Sequence, residues 1–335
     1  MGNAMAILEK SLLASISLSS KASGKGAAVS SSFTRPKGLL WGLGLALLSN
    51  VLFAVIYLYS HWLSPLTGTQ VFLWRMVAMW FGLLVLMLMT GGFATLRQFV
   101  AKLTTVRSKL LLVLPTPILA SQLWLFMWAP VNGHAVNVSV GYFLFPLMMV
   151  VAGFLVFGER LNRFKTLAIA LAAAGVVLQI WLAGSMSWST AWVCLTYPIY
   201  YTLRRWQGVP SLIGLFVDLS IIAPIALAIL VWQGSSLALI TGSVSMMGLV
   251  VGLGAISAIA MHSNLQASQI LPVNMFGMLS YLEPALMFIL SLVVLHEVVS
   301  IEALWSFALI WAGIGVMIAD AWLQNRRSKL VAVNG

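Results

Sequence analysis

The chain has 335 residues, of which 61% are apolar and 7% charged, against roughly 45–50% and 25% in soluble domains. So few charges cannot cover a water-exposed surface, which excludes a soluble globular protein and predicts an all-α integral membrane protein. The single cysteine, Cys194, excludes an intramolecular disulfide and a thiolate metal cluster, and the net charge of +11 suggests a polyanionic partner only until its distribution is read.

Residues 1–37 are rich in Ser, Ala and Gly and carry Lys10, Lys21, Lys25, Arg35 and Lys37. No run there approaches the roughly 18 apolar residues of a spanning helix. A disordered, basic cytoplasmic tail is expected, with a transit peptide as the other reading of so acid-poor a segment. Ten apolar runs follow, at 38–58, 69–90, 110–129, 137–157, 166–183, 187–203, 211–232, 244–264, 272–295 and 302–322. Each is long enough, or nearly so, to cross a bilayer core of about 30 Å. The sixth is short and glycines interrupt the eighth. Short connections leave no room for a soluble domain, and residues 323–335 form a second tail.

Basic residues set the orientation. With the amino end in the cytoplasm, the inner side receives the tail, Arg97, Lys102, Arg107 and Lys109, then Arg160, Arg163 and Lys165. Arg204, Arg205, Arg326, Arg327 and Lys329 complete it, so seventeen of the eighteen Lys and Arg lie inside. The outer connections carry none, as the positive-inside rule asks of ten helices with both termini cytoplasmic. The positive charge therefore reports topology and contact with anionic membrane lipid, and no nucleic-acid partner is expected.

The fourth and ninth runs share a register. A shift of 138 positions carries Pro146 onto Pro284, Met149 onto Met287, Glu159 onto Glu297, Ala170 onto Ala308, and Ala174-Gly175 onto Ala312-Gly313. Such an ungapped register reads as an internal duplication. Each half, 38–183 and 187–322, then holds five helices, and an odd number makes the copies run in opposite directions. Inverted repeats give two nearly equivalent packings around a midplane site, a mechanism for moving a solute.

Several stretches carry a family signature: Trp74-Arg75, Leu125-Phe126-Met127-Trp128-Ala129 with Val131-Asn132, and Gly141-Tyr142-Phe143 before Pro146. Gly158-Glu159-Arg160, Gly175-Val176-Val177-Leu178-Gln179-Ile180-Trp181, and Ala308-Leu309-Ile310-Trp311 leading into Asp320-Ala321 continue it. On these residues the chain resembles the drug/metabolite transporter superfamily with two EamA-type repeats, most closely its RarD-type, chloramphenicol-sensitivity permease branch, over roughly 38–329. The resemblance implies a bacterial inner-membrane secondary transporter that exports metabolites or drugs, with amino acids or amphenicol-like compounds as solutes. It implies neither an enzyme activity nor a cofactor. Three positions depart from the family pattern: Phe145 stands where Asn usually precedes the first proline, Glu283 where a small residue precedes the second, and His296-Glu297 replaces a Gly-Glu pair.

The candidate cavity residues follow from helical spacing. In the ninth run Phe276, Gly277, Ser280, Glu283, Pro284, Met287 and Ser291 fall within an arc of about 120°. Ser139, Tyr142, Pro146, Met149 and Gly153 form the corresponding face of the fourth run. Each proline denies a backbone bond to the residue four back, Tyr142 and Ser280. A kink that serves packing is one reading. The aligned small and polar residues favour the other, in which irregular backbone lines a watery cavity.

Trp124 and Trp128 lie one turn apart, as do Tyr197 and Tyr201. Either pair sandwiches a planar solute or belongs to an interfacial aromatic belt. Arg75 and Asp218 sit within apolar runs, where a charge costs roughly 2.5–3.5 kcal/mol on insertion scales and requires a partner. Glu297 is the expected partner of Arg75, as a gate latch in one access state or as a permanent pair. Glu159, beside Arg160 and Arg163, reads as a solvated cluster, and the histidines are too scattered for a metal site. Glu283 falls near the middle of its run, where a carboxyl group must be hydrated, paired or protonated. It is expected either to couple transport to protons or to hold the amino group of a small-molecule solute. A lipid-modifying membrane enzyme and a non-transporting scaffold are the alternatives. The enzyme is disfavoured by the scarcity of His, Asp and Glu at depth, and the lack of a Walker-type loop argues against ATP use.

Overall fold

The computed structural model describes residues 36–286, apart from 133, 160 and 184–186, and scattered positions between 304 and 323. The expectations for Met287 and Glu297, and for nearly all of both tails, lie outside the described residues. Every named element is helical: α1 Pro36–Trp62, α2 Gly68–Met89, α3 Gly92–Lys102, α4 Val106–Val113, α5 Thr116–Trp128, α6 Ala135–Phe157, α7 Arg163–Ala183, α8 Trp188–Trp206, α9 Ser211–Gln233, α10 Ser235–Thr241, α11 Val244–Ile270 and α12 Val273–Leu279, with a 3-10 turn at Ala129–Asn132. Among the described residues six stretches are long and apolar enough to cross a membrane: Gly38–Tyr57, Gly68–Met89, Val106–Trp128, Arg163–Leu182, Ser211–Gln233 and Val244–Ile270. This is the all-helical, multi-pass membrane architecture that the composition demands.

Local sequence sets the boundaries. Thr67 caps α2 through a reciprocal pair: its side chain accepts from the Gln70 amide at 3.3 Å, and Gln70 accepts from the Thr67 amide at 3.0 Å. Ser187 and Ser243 cap α8 and α11 in the same spirit. Gly158, with φ of 62°, ends α6 in the left-handed region that favours glycine.

Four expectations from sequence need correction. The stretch 91–109 is not a plain connection, because Gly92–Lys102 forms α3, with Leu96 and Phe99 packed on the core while Arg97 and Lys102 stay exposed. The helix expected at 187–203 extends to Trp206 and takes in Arg204 and Arg205, whose side chains find partners inside the bundle. The helix expected to stop at 264 runs to Ile270, because the polar side chains of Asn264 and Ser268 are buried by neighbouring helices. The run at 272–295 is not one continuous helix: α12 stops at Leu279, turns at Ser280-Tyr281, and helix resumes over 282–286.

Two packing groups hold the centre. α2 packs against α9 and α11, burying Met76, Met79, Leu83, Leu215, Leu219 and Leu253 completely. The Trp80 indole N–H donates to Ser220 Oγ at 3.1 Å across that contact. α6 packs against α8 and α12. The α6–α12 crossing depends on Gly277: a Cβ there would sit 2.9 Å from the Pro146 carbonyl oxygen and 2.8 Å from Met149 Cβ. At one end of the bundle the end of α8 is tied to α4 and to the end of α11. The Gln207 side-chain amide donates to Leu111 O at 2.8 Å, Arg204 to Leu112 O at 2.8 Å, and Arg205 to Ser268 O at 2.8 Å.

Candidate functional site

The site is built around the interruption of α12. Ser280 returns its hydroxyl to Phe276 O at 3.0 Å, and the Tyr281 amide closes a tight turn onto Met278 O at 3.2 Å. The Leu279 carbonyl, left over by the turn, accepts from the Asn50 side-chain amide of α1 at 3.3 Å. Pro284 lacks the N–H that would have reached Ser280, so the chain cannot close the gap as regular helix. Glu283 stands at the start of the resumed helix, half-buried.

Around this point the bundle encloses a central cavity. Six rings face it: Phe53 of α1, Phe126 of α5, Tyr142 and Phe145 of α6, and Tyr197 and Tyr201 of α8. Leu123, Asn264, Ser280, Glu283 and Pro284 complete the wall. The volume open to the centre of a water molecule is about 20 Å3, room for about one ordered water. The rings touch: Phe145 lies 5.2 Å from Tyr197 and 5.6 Å from Tyr201, and the two tyrosines lie 5.1 Å apart. Tyr201 donates to Asn264 Oδ1 at 2.5 Å, and Asn264 donates to Ser49 Oγ at 3.2 Å, which locks that wall to α1.

Charge is sparse and specific. Among the described residues, no donor lies within hydrogen-bond distance of the Glu283 carboxyl group; Arg75 is the cation that acts on it, at longer range. Arg75 is 1% exposed and donates from Nε to Ser257 Oγ at 2.9 Å, with its guanidinium 5.6 Å from the Phe126 ring centre. Its Nη1 has no partner among the described residues. A guanidinium and a carboxyl group held apart in a low-dielectric interior act on each other without spending their hydrogen bonds on one another. Among the described residues no group of three or more His, Cys, Asp or Glu gathers as metal ligands would.

The residues singled out from sequence divide clearly. Tyr142, Tyr197, Tyr201, Ser280, Glu283 and Pro284 meet at the cavity. Trp124 and Trp128 do not line it: they stack on each other at 4.9 Å, and Trp128 stacks on His134 at 5.1 Å. They sit on the far side of α5 from Leu123 and Phe126, one helical face away. Met149 is buried against Gly277, Pro146 presents its carbonyl there, and the Ser139 side chain lies outside the described residues. Asp218, with no exposure, accepts from Thr116 Oγ1 at 2.5 Å and Tyr200 OH at 3.0 Å and pairs with Arg204. Its partner is thus a residue assigned from sequence to an inner connection. Glu159 is not a solvated cluster either: its carboxylate accepts from the Val273 amide at 2.6 Å.

Sequence reasoning missed Phe53, Leu123, Phe126 and Asn264 in the wall, and Asn50 beside it. Asn50 carried a legible signal, a carboxamide inside an apolar run, which must find a bonding partner when buried. Two of the three departures from the family pattern, Phe145 and Glu283, line the cavity, and they are 138 positions apart in sequence; the third, His296-Glu297, lies outside the described residues.

No protein-family model matches the chain. An uncharacterized transporter of Haemophilus influenzae is 39% identical over 293 residues, covering 86% of this chain and 97% of the relative. The chloramphenicol-sensitive protein RarD of Pseudomonas aeruginosa is 36% identical over 296 residues, covering 88% and 98%. Protein RarD of Escherichia coli is 25% identical over 297 residues, covering 86% and 97%. A solved crystal structure that is 19% identical superposes with a TM-score of 0.63 over 88% of this chain and 99% of the other, a likeness of fold.

Proposed function

The chain belongs to the RarD-type permease branch of the drug/metabolite transporter superfamily, and from that premise we propose that it is a secondary transporter. It exports a small organic metabolite or drug across a bacterial inner membrane by alternating access. The observation that carries this reading is the central cavity, walled by six aromatic rings and holding one carboxyl group, Glu283, outside any short ion pair among the described residues. Aromatic walls suit a planar or apolar body, such as an amphenicol or an aromatic amino acid.

The full proposal has ten spanning helices in two inverted repeats, 38–183 and 187–322, with both termini cytoplasmic. Two features support it. α6 begins at Ala135 and α12 at Val273, and 273 − 135 gives the same 138 as the sequence shift. The proposed repeat mates also pack against each other, α2 on α9 and α6 on α12, as repeats related by a two-fold axis do. The end where Arg204, Arg205 and α4, the helix that bears Arg107 and Lys109, converge is then the cytoplasmic one.

Glu283 lies ten positions into the segment that starts at Val273, about half of the roughly 20 residues that a spanning segment needs. That point is the middle of a core about 30 Å thick. From there the carboxyl group exchanges a proton with whichever side is open, or holds the amino group of a cationic or zwitterionic solute. The test is transport in liposomes with the parent protein and Glu283→Gln, after a thermal-shift screen of amphenicols, amino acids and nucleosides has supplied a solute. The variant is expected to fold and to lose either the pH dependence of transport or about tenfold in affinity, the loss that about 1.4 kcal/mol makes. Unchanged rate, affinity and pH profile refute the role of Glu283. A parent protein that moves no solute overturns the transporter reading itself.

A further inference from the structure

At the basic end of the bundle one carboxylate and one guanidinium tie four helices together. Glu159, just past the glycine that ends α6, accepts from the Val273 amide at the start of α12 at 2.6 Å. Arg205, near the end of α8, donates from Nη1 to Ser268 O at 2.8 Å and Leu271 O at 2.6 Å, the last carbonyls of α11. Its Nη2 lies 4.0 Å from Glu159 Oε1, and its guanidinium lies 5.1 Å from the Phe157 ring centre. A negative group at a helix start and a positive group at a helix end each oppose the helix dipole favourably. The two charges thus fasten the α11–α12 corner from both sides. Between Val273 and the cavity residue Ser280, α12 packs closely on α6 where Gly277 meets Pro146 and Met149.

We infer that Glu159 and Arg205 form the latch that keeps the central cavity shut at the basic end, and that opening to that side requires the α12 start to leave Glu159. The inference rests on the transporter reading, since a latch matters only if the cavity opens. It adds two gating residues that the cavity does not contain. Glu159 is suited to the task because it accepts a hydrogen bond from the Val273 backbone amide. Releasing it exposes one N–H to water and leaves no charge stranded, as water can hydrate both groups at a helix terminus.

The test needs no solute. Cys194, the native cysteine, is replaced by Ala, and Ser280→Cys places a thiol in the cavity wall. A membrane-impermeant maleimide is added on the face from which a control cysteine at Lys109 reacts. Glu159→Ala and Arg205→Ala are expected to raise the labelling rate at position 280 by about tenfold, because hydrogen bonds to charged groups are among the stronger ones that set a closed state. Glu159→Gln keeps an acceptor for the Val273 amide and is expected to raise it less, by about threefold. Arg163→Gln, at the same end but outside the latch, is expected to leave it unchanged. Parent-like labelling in Glu159→Ala, Glu159→Gln and Arg205→Ala overturns the latch, and so does an equal rise in Arg163→Gln. If the alanine variants fail to fold, Glu159→Gln alone decides. Because labelling is read without transport, the latch stands or falls on these rates even if the protein carries nothing in liposomes.

Discussion

α6 and the segment that begins as α12 carry a proline at corresponding places, yet only one of them breaks. α6 runs through Pro146 as 23 residues of continuous helix, whereas α12 stops at Leu279, four residues before Glu283 and five before Pro284. Proline takes one hydrogen bond from each, so proline is not what differs. The surroundings are. Opposite α12, Asn50 offers an amide to the Leu279 carbonyl. The position in α6 that matches Leu279 is Gly141, which lies inside the continuous helix and packs closely against Val193 and the Thr190 carbonyl. A helix in an apolar bundle breaks more readily where a neighbour takes up the carbonyl that the break orphans.

Substitutions at these points break or sharpen that contrast. Gly277→Ala is expected to cost the most, about 1–3 kcal/mol, as overpacking at a tight crossing does. Its added methyl meets the Pro146 carbonyl oxygen and the Met149 side chain, and the loss is read as a lowered unfolding midpoint in detergent. Asn50→Leu removes the donor to Leu279 O and is expected to cost about 1 kcal/mol, the low end for an unsatisfied buried acceptor, because the cavity admits a replacing water. A neutral Asn50→Leu would mean that the break needs no external partner. Pro146→Ala is expected to matter least, within about 1 kcal/mol of the parent and on the stabilising side, since α6 is already continuous and regains one backbone bond. A large destabilisation there would show that the α6 proline shapes the crossing after all.

What the sequence disclosed, and what it withheld, follows one line. Composition and run length make the membrane class plain, and the 138-residue register makes the α6 and α12 starts coincide. A period of 3.6 residues reports which side chains share a face, so Ser280 and Glu283 are legible as one face of the ninth run and Tyr142 as part of the corresponding face of the fourth. Periodicity does not report which helix lies opposite. That is why the Trp124–Trp128 pair, spaced like Tyr197–Tyr201, stacks on itself one face away from the cavity. It is also why Arg204 read as a loop charge: two adjacent arginines at the end of an apolar run mark a membrane boundary, and only the neighbouring helix reveals Asp218 waiting for one of them. Asn264 and Ser268 escaped for a related reason, since polar residues at the tail of an apolar run resemble its exit into water.

The size of the cavity has a consequence for measured affinity. A space that admits about one water cannot seat an organic solute, so under the alternating-access proposal the form with this cavity is the non-binding member of a population. The dissociation constant seen in solution is then the intrinsic one divided by the fraction of molecules that stand open. If that fraction is about one in a hundred, a solute held at micromolar strength registers at about a hundred micromolar. Weak apparent binding to the parent protein would then measure how seldom it opens rather than how poorly it recognises.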